Sequence, residues 1–159
     1  MDDQEIHIVT LPPMKVARFY AYSSSPEHDA WNKMMSWAKS HDYWKEVPLT
    51  RIFGFDNPSP TEGSPNRGYE FWITVGPEVQ SDKEVKVQVF TGGKYAVLRC
   101  NVTGNPFEVI PAGWETLIKW CEASQYTYGN HQCVEEHLTR PEDDRDYFVL
   151  DLCLPITDD

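Results

Sequence analysis

Two helix-like segments of similar pattern restrict the fold of this chain more than any other feature of its sequence. In each segment, apolar residues recur at i, i+3, i+4 and i+7, which is the spacing of a buried stripe on an α-helix. The two stripes are Trp114, Leu117, Ile118 and Cys121 in the segment 113–126, and Trp31, Met34, Met35 and Ala38 in the segment 30–43. The sequence therefore predicts two equivalent helices of an internal repeat.

Strand-like runs flank both segments in the same order. A turn at 11–14 joins two runs before the first helix, a turn at 91–94 joins two runs before the second, and two further runs follow each helix. Ser25 and Pro26 are expected to open the first helix, and Pro111 the second. The predicted strands are 5–11, 14–22, 49–55, 68–75, 85–90, 95–102, 132–138 and 147–154.

This order of elements predicts an α+β fold built from a duplicated ββαββ unit. The two halves are expected at about 1–78 and 79–159. Neither half is long enough to close a core alone, so we expect one single domain over residues 1–159.

Composition and charge restrict the partners. The formal net charge of −11 argues against binding to a nucleic-acid backbone, which requires clustered Lys and Arg. Cationic or neutral partners fit this charge better, although an acidic excess also serves solubility.

No apolar run is long enough to cross a bilayer and the first residues lack a signal-peptide pattern, so we expect a cytoplasmic protein without membrane contact. The four cysteines show no CxxC spacing and no metal or cofactor motif is present, which predicts buried thiols, no metal and no cofactor.

Two carboxylates set in apolar strands are the candidates for chemistry. Glu135 lies in the strand 132–138, and Glu70 lies between Tyr69 and Phe71, next to Trp72. Alternation places Tyr69 on the core face and Glu70 on the other face. An aromatic surrounding solvates an ionised carboxylate poorly, which would raise its pKa and suit a general base or acid near neutral pH. The carboxylate could instead stay ionised and bind a cation beside an aromatic ring, or be an ordinary exposed strand residue.

The last strand shows a similar alternation. Its core face is predicted to hold Phe148, Leu150, Leu152 and Leu154. Tyr147 and Asp151 then fall on the opposite face, with Asp151 near the repeat position of Glu70.

The chain resembles the GyrI-like effector-binding domain, which also forms the ligand-binding part of AraC-type and MerR-type multidrug regulators. The resemblance rests on the order of short motifs along nearly the whole chain: Leu11-Pro12-Pro13-Met14-Lys15-Val16-Ala17, Ala30-Trp31, Gly92-Gly93-Lys94-Tyr95-Ala96-Val97, Gly113-Trp114, Cys133-Val134-Glu135-Glu136-His137 and Leu154-Pro155-Ile156. It implies two SHS2-type modules with antiparallel sheets, helices on one face, and a ligand cleft between pseudo-twofold halves. The characteristic pocket Glu of the family maps onto Glu135, and His137 stands where the family usually has Tyr.

Within this family, the run Gly68-Tyr69-Glu70-Phe71-Trp72 is similar to the cyclopropanoid cyclopropyl hydrolases. These enzymes open the strained ring of DNA-alkylating natural products of the yatakemycin and CC-1065 type, which is detoxification. No helix-turn-helix region precedes the domain, so a stand-alone member is expected.

The resemblance implies that flat aromatic, hydrophobic or cationic small molecules bind between aromatic side chains, and that Glu135 or Glu70 activates water. The expected ligand contacts are Trp72, Trp114, Tyr69, Phe19, His137 and Tyr147. The alternatives are a module that binds drugs or cationic lipophiles without catalysis, and a protein-interaction role like gyrase inhibition, in which the acidic surface meets a basic partner.

Overall fold

The computed structural model describes residues 6–41, 50–57, 62–139 and 147–158. It divides into two compact units, Met14–Phe90, here called the inner unit, and Met1–Pro13 with Thr91–Asp159, here called the outer unit. Glu5 and Leu49, which were predicted to begin two strands, lie outside the described residues, as do the last two residues of the segment 30–43.

The inner unit places one helix on one face of a four-stranded antiparallel sheet. Its elements are β2 (Met14–Ser23), α1 (Pro26–Ser40), β3 (Ile52–Asp56), β4 (Arg67–Thr74) and β5 (Lys86–Phe90), with strand order β3-β4-β2-β5. The helix packs on alternate residues of the sheet such as Phe19, Phe71 and Ile73. Alternation along a strand puts such residues on one face, as the sequence predicted for the strand 68–75.

The outer unit repeats this arrangement. Its elements are β1 (Ile6–Leu11), β6 (Gly93–Val102), α2 (Pro106–Glu122), β7 (Thr127–Tyr128), β8 (Val134–His137) and β9 (Phe148–Thr157). The strand order is β1-β6-β9-β8, with β7 paired to β9, and every pairing is antiparallel. Helix α2 packs on a core that includes Leu98, Leu150 and Leu152. The predicted α+β class with two helices and antiparallel strands is therefore confirmed.

The pairing of the first strand of each repeat differs from the prediction. β1 and β2 were expected to form a hairpin through Pro12 and Pro13, but β1 pairs with β6, and the two edges of β2 are taken by β4 and β5. Gly92 has φ +71, and a Cβ there would lie 2.2 Å from the carbonyl oxygen of Leu11, so the end of β1 lies against the turn before β6. The alternation of a strand specifies its faces but not its neighbour, which explains the error.

Helix α2 begins five residues earlier than predicted. Asn105 is its N-cap and accepts a hydrogen bond from the amide of Phe107, and Pro106 occupies the first turn, so Pro111 lies inside the helix. Leu117 and Cys121 are buried as expected, but Ile118 is 38% exposed and Gly113 takes its place in the buried stripe. In β9, Phe148 was predicted to be in the core and is 37% exposed, whereas Leu150, Leu152 and Leu154 are buried.

Candidate ligand-binding site

An indole and a carboxylate meet in the outer unit. The Nε1–H of Trp114, on α2, donates a hydrogen bond of 2.9 Å to Oε2 of Glu135, on β8. Both residues are partly exposed. The pair therefore brings an indole and a carboxylate together at a place where solvent reaches both residues.

The close approach of α2 to the sheet sets this geometry. Gly113 is buried, and a Cβ at this position would lie only 2.8 Å from Cδ1 of Leu152. Leu152 is the register partner of Glu135 across β9 and β8. Gly113 contacts β9, and Trp114, the next residue of the helix, reaches the neighbouring strand β8.

His137 and Tyr147 also lie in the outer unit. His137 is two residues beyond Glu135 on β8, so the two side chains share a face of the strand, and His137 is partly exposed. Tyr147 directly precedes β9 and is 39% exposed. Four of the residues predicted to form the site, Glu135, Trp114, His137 and Tyr147, are thus carried by the same unit.

Glu70 has a different environment. It is 1% exposed and accepts hydrogen bonds from Nε of Arg18 at 2.6 Å, from Nε1 of Trp72 at 2.7 Å and from Nδ2 of Asn57 at 3.2 Å. A second guanidinium nitrogen of Arg18 lies 3.3 Å from the other carboxylate oxygen. These donors compensate the removal of the charge from water. The hydrogen bond to Glu70 and, as a smaller effect, the negative charge of Glu70 raise the pKa of Arg18.

The remaining predicted ligand contacts lie on both faces of the inner sheet. Trp72 is 5% exposed and packs against Phe55 and Phe90, with ring centroids 4.9 and 5.1 Å away. Tyr69 and Phe19 belong to the core beneath α1, which is the opposite face of the sheet. The structure therefore brings Glu70 and Trp72 together and separates them from Tyr69 and Phe19.

Sequence reasoning missed Arg18 and Asn57. The position of Arg18 was a usable signal, because it lies between Ala17 and Phe19 of the core and must point to the other face. Its partner is 52 residues away, however, and no local pattern specifies such a pairing.

Within the described ranges, no cluster of three or more His, Cys, Asp or Glu side chains could hold a metal ion. Nor does any helix in those ranges have the length and apolarity needed to cross a membrane.

A duplicated α+β module that presents a partly exposed indole beside a carboxylate has the features of a small-molecule-binding domain. The chain matches the model of the GyrI-like small molecule binding domain over residues 4–157. It therefore belongs to this family, as the sequence motifs predicted. Comparison with curated proteins gives no match.

Solved structures with the same fold include the C-terminal domain of EcmrR and a hydrolase. The chain is similar to the C-terminal domain of EcmrR, with 13% identity, 98% of this chain and 99% of that chain covered, and a TM-score of 0.72. It is also similar to a hydrolase from Listeria innocua, with 11% identity, coverages of 96% and 92%, and a TM-score of 0.68. A third is SAV2435 bound to tetraphenylphosphonium, with 12% identity, coverages of 96% and 94%, and a TM-score of 0.52. At these identities the likeness shows the fold alone.

Proposed function

We propose that this protein binds flat aromatic electrophiles against Trp114 and hydrolyses the cyclopropane of alkylating natural products of the yatakemycin and CC-1065 type. The observation that carries the proposal is the 2.9 Å hydrogen bond from the indole of Trp114 to the carboxylate of Glu135, two side chains that both reach solvent. The indole offers a surface for a planar ligand, and the carboxylate next to it offers a base.

The indole also fixes the orientation of the carboxylate. A carboxylate can accept about four hydrogen bonds, so accepting one from Trp114 is compatible with accepting another from water. Glu135 removes a proton from that water as the oxygen attacks a cyclopropane carbon. The broken carbon–carbon bond gives its electron pair to the conjugated carbonyl, whose oxygen takes up a proton, so the product is the substrate plus one water. Strain in the three-membered ring favours this step, so alignment of the water supplies much of the catalysis.

We assign a structural role to Glu70. Its carboxylate is 1% exposed and already holds Arg18, Trp72 and Asn57. The four hydrogen bonds from these side chains use the acceptor positions of the carboxylate, so a water molecule used for hydrolysis would have to displace a donor. If it displaced the buried indole N–H of Trp72, leaving that donor without a partner would cost about 1–3 kcal/mol. Glu135 is the better base because solvent reaches it.

Binding without catalysis is the second candidate function, and the same pair of side chains supports it. A carboxylate attracts a lipophilic cation, and the face of an indole contributes a cation–π interaction of about 0.5–2 kcal/mol. The tetraphenylphosphonium bound by SAV2435 is such a cation, and the hydrolase from Listeria innocua has the same fold, so the relatives support both candidates.

The test is incubation of the purified protein with a cyclopropane-bearing compound of the duocarmycin type, followed by mass spectrometry. We expect a product heavier by one water to form catalytically. Glu135→Gln should abolish turnover and retain quenching of tryptophan fluorescence by the compound, and Trp114→Phe should remove most of that quenching. Glu115→Gln is the matched control, because this exposed carboxylate neighbours Trp114 on α2.

The outcomes separate the candidates. Turnover by Glu135→Gln at the wild-type rate would refute the mechanism. Saturable quenching by both the alkylator and tetraphenylphosphonium, without a water adduct, would establish the binding module. The absence of both effects would favour the protein-interaction role with a basic partner.

A further inference from the structure

A solvent-open pocket lies in the outer unit where β7 and the end of β9 meet the loop 129–131. Its volume is about 400 Å³, and its walls include Lys94, Tyr128, Asn130, His131 and Asp158. Pockets for small ligands measure about 300–1,000 Å³, so the space is sufficient for one.

This pocket is separate from the pair formed by Trp114 and Glu135. Glu135 is in register with Leu152, whereas the pocket reaches β9 at Ile156, four residues further along the strand. At about 3.3 Å per residue, the two positions are about 13 Å apart. A ligand here is therefore independent of the function proposed above.

His131 is held in a fixed orientation at the pocket wall. Its Nε2 lies 2.7 Å from the carbonyl oxygen of Lys94, and since a carbonyl only accepts, Nε2 carries the hydrogen. The ring packs edge-on to Tyr95 at 4.8 Å, and a Cβ at Gly93 or at Gly129 would come within 2.7 or 2.5 Å of it. Nδ1 of the neutral ring is then an acceptor in a defined position.

The charges on the pocket wall cancel. Nζ of Lys94 lies 2.9 and 2.8 Å from the two carboxylate oxygens of Asp158. Asn130 adds a neutral amide, with two donors and one acceptor oxygen. An anionic ligand would meet the carboxylate of Asp158 and a cationic ligand the ammonium of Lys94, so the lining favours a neutral ligand with many hydrogen-bonding groups.

An aromatic wall completes the pocket. Tyr128 is 49% exposed, and its hydroxyl donates to Glu122 at 3.2 Å, which restrains the ring. We propose that the pocket binds a neutral polyhydroxylated ring, of the kind found in monosaccharides. The C–H face of the ring packs on Tyr128, and its hydroxyls donate to Nδ1 of His131 and bind the amide of Asn130.

The test is titration of the ¹⁵N-labelled protein with D-glucose, with the anionic D-glucuronate and with the cationic D-glucosamine. We expect glucose to shift the backbone amides of residues 128–131 saturably, and both charged analogues to bind several-fold more weakly. Tyr128→Ala should weaken glucose binding about tenfold, which corresponds to the loss of one aromatic packing contact, while Tyr128→Phe stays close to the wild type. Asn130→Asp, which keeps the shape and adds a charge, should raise the affinity for glucosamine relative to glucose several-fold.

A further arm with uridine distinguishes a free sugar from the ribose of a nucleoside, because both carry a neutral ring with several hydroxyl groups. Tighter binding of uridine than of glucose would assign the ring to a nucleoside. Absence of glucose-induced shifts at tens of millimolar, equal shifts in Tyr128→Ala, or tightest binding of glucuronate would each overturn the proposal. Glu135→Gln should leave these titrations unchanged.

Discussion

The close contact between Gly113 and the sheet makes a quantitative prediction. A Cβ at this position would lie 2.8 Å from Cδ1 of Leu152 and 3.8 Å from Sγ of Cys100. Carbon atoms in contact prefer about 3.5–4.0 Å, so Gly113→Ala requires α2 or Leu152 to move by about 1 Å. Overpacking costs about 2 kcal/mol, and the better helix propensity of Ala offsets about 1 kcal/mol. We expect a net loss of about 1 kcal/mol, or about 3 °C in Tm for a chain of this size.

Movement of the helix has a second consequence. If α2 withdraws by about 1 Å, the 2.9 Å hydrogen bond from Trp114 to Glu135 is lengthened beyond hydrogen-bonding distance. The assays are thermal unfolding and the ¹H–¹⁵N spectrum of the indole groups, in which the Trp114 resonance should shift without any ligand. Leu152→Ala in the Gly113→Ala background should cost less than the sum of the two single substitutions, because it removes the clashing atoms.

Ala112→Gly provides the matched control. Ala112 precedes Gly113 on α2 and is exposed, so this change tests helix propensity alone. It should cost about 1 kcal/mol and leave the Trp114 resonance in place. If Gly113→Ala instead raises Tm by about 3 °C and leaves that resonance unchanged, helix propensity alone decides and the close-contact argument fails.

Three further predictions concern stability. Arg18→Met should lower the free energy of unfolding in urea by about 2 kcal/mol, because it leaves the buried carboxylate of Glu70 without its ion-pair partner. This is less than the roughly 3–5 kcal/mol of a fully buried pair, since solvent reaches Arg18. Glu70→Met should lower it by less than Arg18→Met does, since it leaves no buried charge. Burial raises the pKa of the Cys100 thiol in the folded protein. The stability that this shift contributes is therefore complete below the unfolded-state pKa of about 8.5 and is lost as pH rises further. The alkaline decrease in the urea midpoint should be smaller in Cys100→Ala than in the wild type. Asn105→Ala should cost about 1 kcal/mol in thermal unfolding by removing the acceptor for the amide of Phe107, whereas Asn105→Asp, which keeps it, should cost little; equal losses would contradict the capping role.

The elements of the fold could be predicted from the sequence because their signals are local. Among the described residues, helical and strand periodicity identified both helices and every strand except the two-residue β7. The early start of α2 also has a local signal, since Asn105 and Pro106 are a favourable N-cap and first position, whereas the predicted start was Pro111. The pairing of the strands could not be predicted from the sequence, because β1 has the same alternation whether it pairs with β2 or with β6.

The candidate site shows the same limit. Alternation correctly separated Glu70 from Tyr69 across the sheet, but the partner of Glu70 is Arg18, 52 residues earlier. The pairing of Trp114 with Glu135 spans 21 residues and depends on the depth at which α2 lies on the sheet. Contacts of this kind arise from tertiary packing, which residue periodicity does not encode.

The duplication predicted from the helices is also visible in the ion pairs of the two units. Arg18 pairs with Glu70 in the inner unit and Arg99 with Asp151 in the outer unit, and each pair spans 52 residues. One offset of 81 residues relates both arginines and both carboxylates. Burial differs, since the arginine side chains are 37% and 63% exposed and the carboxylate side chains 1% and 15% exposed in the inner and outer pair. The outer pair is therefore expected to contribute at most about 1 kcal/mol to stability.

The same offset explains why only one unit carries the proposed base. It relates Glu135, the register partner of Leu152, to Gly54, the register partner of Phe71. A Cβ at Gly54 would lie 2.4 Å from the hydroxyl of Tyr69, so the ring of Tyr69 occupies the space that a side chain would fill there. In the inner unit this position belongs to the core, which accounts for the burial of Tyr69. In the outer unit it carries a carboxylate that solvent and Trp114 both reach, so the repeated sheet position becomes available for chemistry only there.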